Sequence, residues 1–213
     1  MKLCRDAPLD AVGFAALTGV SRETLDRLAA YASILIEWSA RINLVGRATL
    51  DDLWRRHFLD SAQLAPLVPA DTKSLTDLGS GAGFPGLVLA ILGVRGVELV
   101  ESDSRKSVFL REAARVTETP VTIHNQRIEA APPHPVDVIT ARACAPLDRL
   151  LDLAAPFIGP YTTCLFLKGA RVDEELTAAR KVWTMTVSRH PSRADPAGTV
   201  FVLQQVVREP RRA

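Results

Sequence analysis

The run Asp77-Leu78-Gly79-Ser80-Gly81-Ala82-Gly83-Phe84-Pro85-Gly86 closes a short apolar stretch, 74–78, and opens a helical pattern over 85–93. Glycines at alternate positions let the main chain turn tightly and approach a ligand with no Cβ in the way. Pro85 suits the first turn of a helix, where its missing N–H costs nothing. Strand, glycine turn and helix in succession demand an α/β unit whose ligand lies over the turn, at the carboxyl ends of the strands.

The rest of the chain fits that demand. Short apolar runs at 74–78, 97–100, 121–124, 136–140 and 162–167 alternate with helical patterns at 85–93, 104–118 and 147–155. Such alternation implies right-handed crossovers and a mostly parallel sheet. After a helix near 172–182, two further runs, 184–188 and 199–207, flank Pro191, Asp195, Pro196 and Gly198 and read as an antiparallel pair at the sheet edge. A mostly parallel Rossmann-like sheet with an antiparallel last strand is the layout of class I methyltransferases, and this is the expected fold class. Residues 1–70 read as an N-terminal helical extension and 71–213 as the core. In the extension Ser21 is the expected N-cap of a helix carrying Leu25, Leu28, Ala29, Ala32, Leu35, Ile36 and Trp38. A second helix is expected over 50–65, with Leu50, Leu53, Trp54 and Phe58 on its apolar face.

The glycine loop satisfies two patterns. Gly81-Ala82-Gly83-Phe84-Pro85-Gly86 matches the dinucleotide fingerprint G-x-G-x-x-G. Asp77-x-Gly79-x-Gly81-x-Gly83 matches the acidic-leading triple glycine of methyltransferases. The carboxylate discriminates, because it attracts the cationic amino group of S-adenosylmethionine and repels a pyrophosphate. Glu101 ends the second core strand, where a carboxylate accepts both ribose hydroxyls of an adenosine. Both cofactor classes want that residue, so a nicotinamide-dependent oxidoreductase stays as the alternative, and a non-enzymatic RNA-binding protein on the same fold as a third reading.

The loop, together with Arg56-His57-Phe58-Leu59-Asp60-Ser61, resembles the glucose-inhibited division protein B family. Asn43-Leu44, Glu101-Ser102, Phe109-Leu110, Arg127-Ile128-Glu129, Arg142-Ala143 and Leu167-Lys168-Gly169 extend the likeness over about residues 35–170. Members of that family are bacterial small-subunit ribosomal RNA methyltransferases that make 7-methylguanosine. The resemblance implies S-adenosylmethionine as cofactor, bound by Asp77, Gly79, Gly81, Gly83, Phe84, Glu101 and Ser102, with Ile128 and Glu129 beside the adenine. Arg142, after the fourth core strand, joins the same site and is the candidate catalytic residue, unless it pairs with a carboxylate such as Asp148. Arg56, His57 and Lys168 are candidate substrate contacts. For Arg56 a surface pair with Asp60, one turn on, competes with that role, and for Lys168 either phosphate or plain solvent is compatible with a strand end. The implied RNA partner is the small subunit, assembled or assembling, recognised by a monomer.

Absences sharpen the chemistry. No D/N-P-P-Y-like element follows the fourth strand, where methylation of an exocyclic base nitrogen would want one; the chain reads Thr140-Ala141-Arg142-Ala143-Cys144. Methylation of a pyrimidine at carbon five needs a Cys nucleophile. Cys144 stands near the right place but lacks the usual Pro-Cys or Thr-Cys pairing, and is read as packing. Ring nitrogen seven of guanine loses no proton, so a sparse inventory of acids and bases suits it. Net charge is only +2, too little to demonstrate a nucleic-acid partner, and the excess of Arg over Lys is also what GC-rich coding produces. Whether Arg208, Arg211 and Arg212 grip RNA stays open. Three cysteines with no CxxC pair support neither a disulfide framework nor a zinc site, so no metal is expected and a reducing cytoplasm is. The opening residues carry no apolar run behind their charges, so no secretory signal is expected, and no stretch approaches the ~20 apolar residues of a membrane span.

Because no covalent intermediate is required at a ring nitrogen, Cys144→Ser is expected to keep most of the turnover. Collapse of activity in the folded variant, or a trapped protein–RNA adduct, would instead assign the chemistry to a pyrimidine.

Overall fold

The computed structural model describes residues 7–209. Seven strands, β1 (Leu75–Leu78), β2 (Val97–Glu101), β3 (Thr122–Asn125), β4 (Val136–Arg142), β5 (Ile158–Lys168), β6 (Trp183–Pro191) and β7 (Thr199–Arg208), form one sheet in the order β3-β2-β1-β4-β5-β7-β6. The pairs from β3 across to β5 are parallel. β7 runs antiparallel to β5 and to β6. The expected edge pair is present, and the strand order reverses direction between β1 and β4, which opens a crevice at their carboxyl ends.

Both faces of the sheet are covered, so its central strands are apolar on both sides. In β5, Cys164 and Phe166 enter one hydrophobic cluster and Leu165 and Leu167 the other. The first cluster holds α4 (Gly86–Ile91), α5 (Ser104–Val116) and the helices that precede the sheet; the second holds α6 (Leu147–Ala154) and α7 (Val172–Ala179).

The chain before the sheet is helical, as expected, with one addition and one change of pitch. α1 (Ala11–Thr18) precedes α2 (Arg22–Ser39), whose N-cap is Ser21, accepting from the Thr24 N–H at 3.2 Å. α2 buries Leu28, Tyr31, Ala32 and Leu35, a stripe of helical spacing in which Tyr31 is the member that an apolar count overlooks. The expected helix over 50–65 is a helical run of mixed pitch. A 3-10 turn (Arg47–Asp52) leads into a π turn (Trp54–Leu59), then α3 (Asp60–Ala62) and a second 3-10 turn (Ala65–Leu67). The π turn swings His57, Phe58 and Leu59 inward together. Phe58 meets Tyr31 edge-on at 5.3 Å, Phe84 edge-on at 5.5 Å and Trp54 at 4.7 Å, so the helices before residue 71 and the glycine loop share one aromatic core.

Phe58 is fully buried in that shared core, so Phe58→Ala is expected to lower stability by about 3–5 kcal/mol. Denaturant unfolding should keep a single transition, displaced to lower denaturant. Separate early melting of a helical fragment would show that the two regions fold independently.

Candidate active site

The glycine loop leaves β1 with positive φ at Gly79 (67°), Gly81 (58°) and Gly83 (93°), a conformation that disfavours any side chain. Two of these positions are also crowded. A Cβ on Gly79 would lie 2.9 Å from Cys144 Sγ, and one on Gly83 2.6 Å from the Tyr31 hydroxyl. Tyr31, fully buried on α2, donates its hydroxyl hydrogen bond to the Ala82 carbonyl and stacks on Phe84 at 5.4 Å. The helices before the sheet therefore hold the loop from behind. Cys144 packs over Gly79, and burial raises its thiol pKa, which leaves it protonated and a poor nucleophile.

Glu101, the last residue of β2, is 7% exposed. Its Oε2 accepts the Gly81 N–H at 2.8 Å and its Oε1 the Asp103 N–H at 2.7 Å. These bonds aim the carboxylate across the loop and leave each oxygen a lone pair for a ligand hydroxyl. An adenosine moiety fits such a donor-bound carboxylate beside a glycine cradle. Ser102, next in the chain, is exposed, and its carbonyl accepts from Asn125. Ile128 packs partly buried against the second cluster, and Glu129 pairs with Arg149 at 2.9 Å on the surface.

Asp77 departs from expectation. A carboxylate at this strand end is expected to reach a cationic group in the crevice, yet its side chain is wholly buried below the loop. Parallel register sets Asp77 opposite Thr140, whose hydroxyl donates to Oδ1 at 2.7 Å, while Oδ2 has no partner. Burial pushes its pKa up to about 6, against the hydrogen bond from Thr140. Phe84 is likewise buried, between Tyr31 and Arg142.

Arg142, the last residue of β4, does not pair with Asp148. Its guanidinium lies over the Phe84 ring at 4.9 Å, donates from Nη1 to the Arg56 carbonyl at 3.1 Å, and approaches Asp60 Oδ2 at 3.5 Å. The Arg56–Asp60 pair that competed with a substrate role does not form. Arg56 bonds Asp195 at 3.0 Å in the β6–β7 turn, and Asp60 faces Arg142. His57 is buried against Phe84 with Nε2 2.7 Å from the Thr49 hydroxyl. Burial first, then Arg142 and Arg56, depress its pKa to about 3, so its imidazole is neutral. Lys168 does not face solvent at its strand end. Its side chain is 6% exposed, and Nζ pairs with Glu175 at 2.6 Å and donates to the Ala145 carbonyl at 2.7 Å, fixing the loop after β4. Arg208 is occupied by Asp152 at 3.1 Å and by the Trp183 face; Arg211 and Arg212 lie outside the described residues.

Beyond Arg142, at the carboxyl ends of β4 and β5, opens a cavity of about 410 Å³. Asp60, Arg142, Lys168, Arg171, Glu175 and Asp195 supply its charged lining. Sequence reasoning missed this assembly, because Asp60, Glu175 and Asp195 come from three separate elements. The one signal was Asp60, inside the motif at 56–61. Among the described residues no cluster of His, Cys, Asp and Glu is arranged to hold a metal ion, and no helix is long and apolar enough to cross a membrane.

Comparison with known proteins adds the following. A family model described as rRNA small subunit methyltransferase G matches residues 24–195. Proteins named ribosomal RNA small subunit methyltransferase G from Paramagnetospirillum magneticum and Rhodospirillum rubrum are each 60% identical. The first alignment spans 90% of this chain and 93% of the relative, the second 92% and 97%. Among solved structures, a class I S-adenosylmethionine-dependent methyltransferase from Listeria monocytogenes is similar with a TM-score of 0.62 at 12% identity, covering 93% of this chain and 75% of that one. A ribosomal protein L11 methylase from Lactobacillus delbrueckii has a TM-score of 0.53 at 14% identity over 70% of this chain and 77% of its own. At such identities the structures speak for the fold alone.

Asp77 generates a pH signature. Between the ordinary carboxyl pKa of 3.8 and about 6, the unfolded chain ionises Asp77 while the folded one keeps it neutral. Stability is therefore lost as pH rises through that window and levels off above it. Asp77→Asn should gain melting temperature relative to the parent between pH 4 and pH 6, measured without ligand. A difference constant with pH would remove the buried carboxyl as its cause.

Proposed function

The chain belongs to the family of the rRNA small subunit methyltransferase G, and from that premise we propose that it methylates ring nitrogen seven of a guanine in small-subunit ribosomal RNA, with S-adenosylmethionine as donor. Family membership displaces the nicotinamide and non-enzymatic readings. The observation that supports the cofactor assignment in this chain is the Glu101 carboxylate, at the end of β2, bonded to the Gly81 amide of the glycine loop. When bound, the cofactor supplies an electrophilic methyl group on a cationic sulfur.

The protein's own part is placement. Ring nitrogen seven would take up that methyl group through its own lone pair, and no proton would leave the base. No general base is needed, and alignment with a preorganised field provides the acceleration. Arg142 is the residue assigned to orient the base, by donating to the carbonyl oxygen beside nitrogen seven. Gly79, Gly81, Gly83 and Glu101 hold the cofactor, with Ser102, Ile128 and Glu129 around its adenosine. Asp77 and Phe84 act from beneath, by shaping the loop and seating Arg142.

The helices before residue 71 serve as an extension to the core and support the loop through Tyr31. The protein works as a cytoplasmic monomer. A net charge of +2 gives little non-specific grip on RNA, whose binding depends on phosphates neutralised. Specificity then comes from a shape made by folded RNA and ribosomal proteins together, so the substrate is the assembled or assembling small subunit.

The test is mass spectrometry of ribosomal nucleosides after incubation with the purified protein and labelled cofactor. Label is expected in 7-methylguanosine, with small subunits accepting methyl groups far better than deproteinised RNA at matched salt. Label in another nucleoside would overturn the target, and equal rates on both substrates would overturn the particle requirement.

A further inference from the structure

We infer that the cavity beyond β4 is a pocket for a single unstacked guanine, and that Asp60 is the residue that distinguishes guanine from adenine. The inference rests on the guanine reading above and adds to it the place and the means of recognition. An enzyme that reacts with a base must take it out of the stack into a pocket. The cavity, about 410 Å³ and adjoining Arg142, lies within the ~300–1,000 Å³ range of small-molecule sites.

The charged groups around it are not equivalent. Glu175 spends its charge on a close ion pair, its Oε2 accepting both the Lys168 ammonium at 2.6 Å and the Leu147 N–H at 3.0 Å, which leaves only Oε1 unbonded. Asp195 is committed on both oxygens, to Arg56 through Oδ2 and to the Ala197 N–H through Oδ1 at 2.9 Å. Lys168 is consumed by Glu175 and Ala145. Asp60 differs. Its Oδ1 accepts from Gln63 at 2.8 Å, but its Oδ2 has only the 3.5 Å approach of Arg142 and no hydrogen bond among the described residues. Arg142 for its part donates one hydrogen bond, from Nη1, and keeps its remaining donors. Burial raises the Asp60 pKa and lowers that of Arg142, in each case more than their mutual attraction offsets.

A carboxylate oxygen and a guanidinium left under-bonded side by side, both lining one cavity, make an acceptor next to a donor array. Guanine is the base that answers both. Its oxygen six accepts from arginine, and its N1–H and 2-amino group donate to a carboxylate. Adenine sets an amino group against the guanidinium and a bare ring nitrogen against the carboxylate, leaving both protein groups unpaired. Sites built on such bonds reject the analogue that lacks them. Gln63 also bonds the Ser192 hydroxyl at 3.2 Å and the Arg193 N–H at 2.8 Å, so α3 and the β6–β7 turn hold Asp60 in place from both sides.

The experiment measures inhibition of methyl transfer to small subunits by guanosine, inosine and adenosine 5′-monophosphates and by ribose 5-phosphate, at saturating cofactor. Guanosine monophosphate is expected to compete with the particle and not with the cofactor, on the order of tenfold more strongly than adenosine monophosphate. Inosine monophosphate, lacking the 2-amino group, should fall between them. Asp60→Asn should abolish the preference for guanosine monophosphate while cofactor affinity, by calorimetry, stays unchanged. Equal inhibition by the nucleotides, inhibition by ribose 5-phosphate as strong as by guanosine monophosphate, or no inhibition at all would overturn the assignment. The nucleotide series on the parent protein decides the matter should Asp60→Asn not fold. A product of 7-methylguanosine with no guanine preference would sink this inference alone, whereas a different methylated nucleoside would sink the reading beneath it.

Discussion

The guanidinium of Arg142 is the point through which the rest of the site is connected. It ends β4, lies on the ring of Phe84 from the glycine loop, and bonds the Arg56 carbonyl from the π turn. Three regions distant in sequence thus converge on one cation. Taking that cation out of water is costly, and its burial lowers its own pKa; a quadrupole face, a carbonyl and the Asp60 carboxylate offset part of the cost. The same charge discourages protonation of His57 and favours ionisation of Asp60 and Asp77. It sets the electrostatics of the crevice as well as its shape.

Behind the cation stands an aromatic assembly that joins extension and core. Tyr31 stacks on Phe84, Phe58 meets both edge-on, and the Tyr31 hydroxyl caps the Ala82 carbonyl. A loop with three positive-φ glycines is soft unless its neighbours over-determine it. Here α2 does so from below and Cys144 from above. The helices preceding the sheet therefore act on the cofactor side of the site as well as on the cavity side, where Asp60 emerges.

Much of the fold was legible in the chain because its signals are local. Short apolar runs, the spacing of strands and helices and the glycine run each depend on residues close in sequence, and the Ser21 cap and the edge hairpin followed from the same kind of reading. The position of Glu101 at the end of β2 was legible too, since strand ends in such sheets face the crevice. Partner choice among charged residues was not. Arg56 with Asp195, Arg142 with Asp60 and Lys168 with Glu175 are separated by as much as 139 residues, and no local pattern selects among so many arginines and carboxylates.

The sequence by itself determined an α/β sheet with a glycine crevice, an acidic residue at each of two strand ends and the family to which the chain belongs. Tertiary structure decided which of those residues face a ligand and which face the interior. Asp77 and His57 look like contacts when read along the chain, yet packing buries them, leaving the first unionised below about pH 6 and the second neutral. Asp60 looks like half of a surface pair with Arg56, yet the fold sets it beside Arg142 at the cavity. The physical reason is that backbone pattern is set by short-range sterics and hydrophobic period, whereas the environment of a charge is the sum of everything brought near it by the fold.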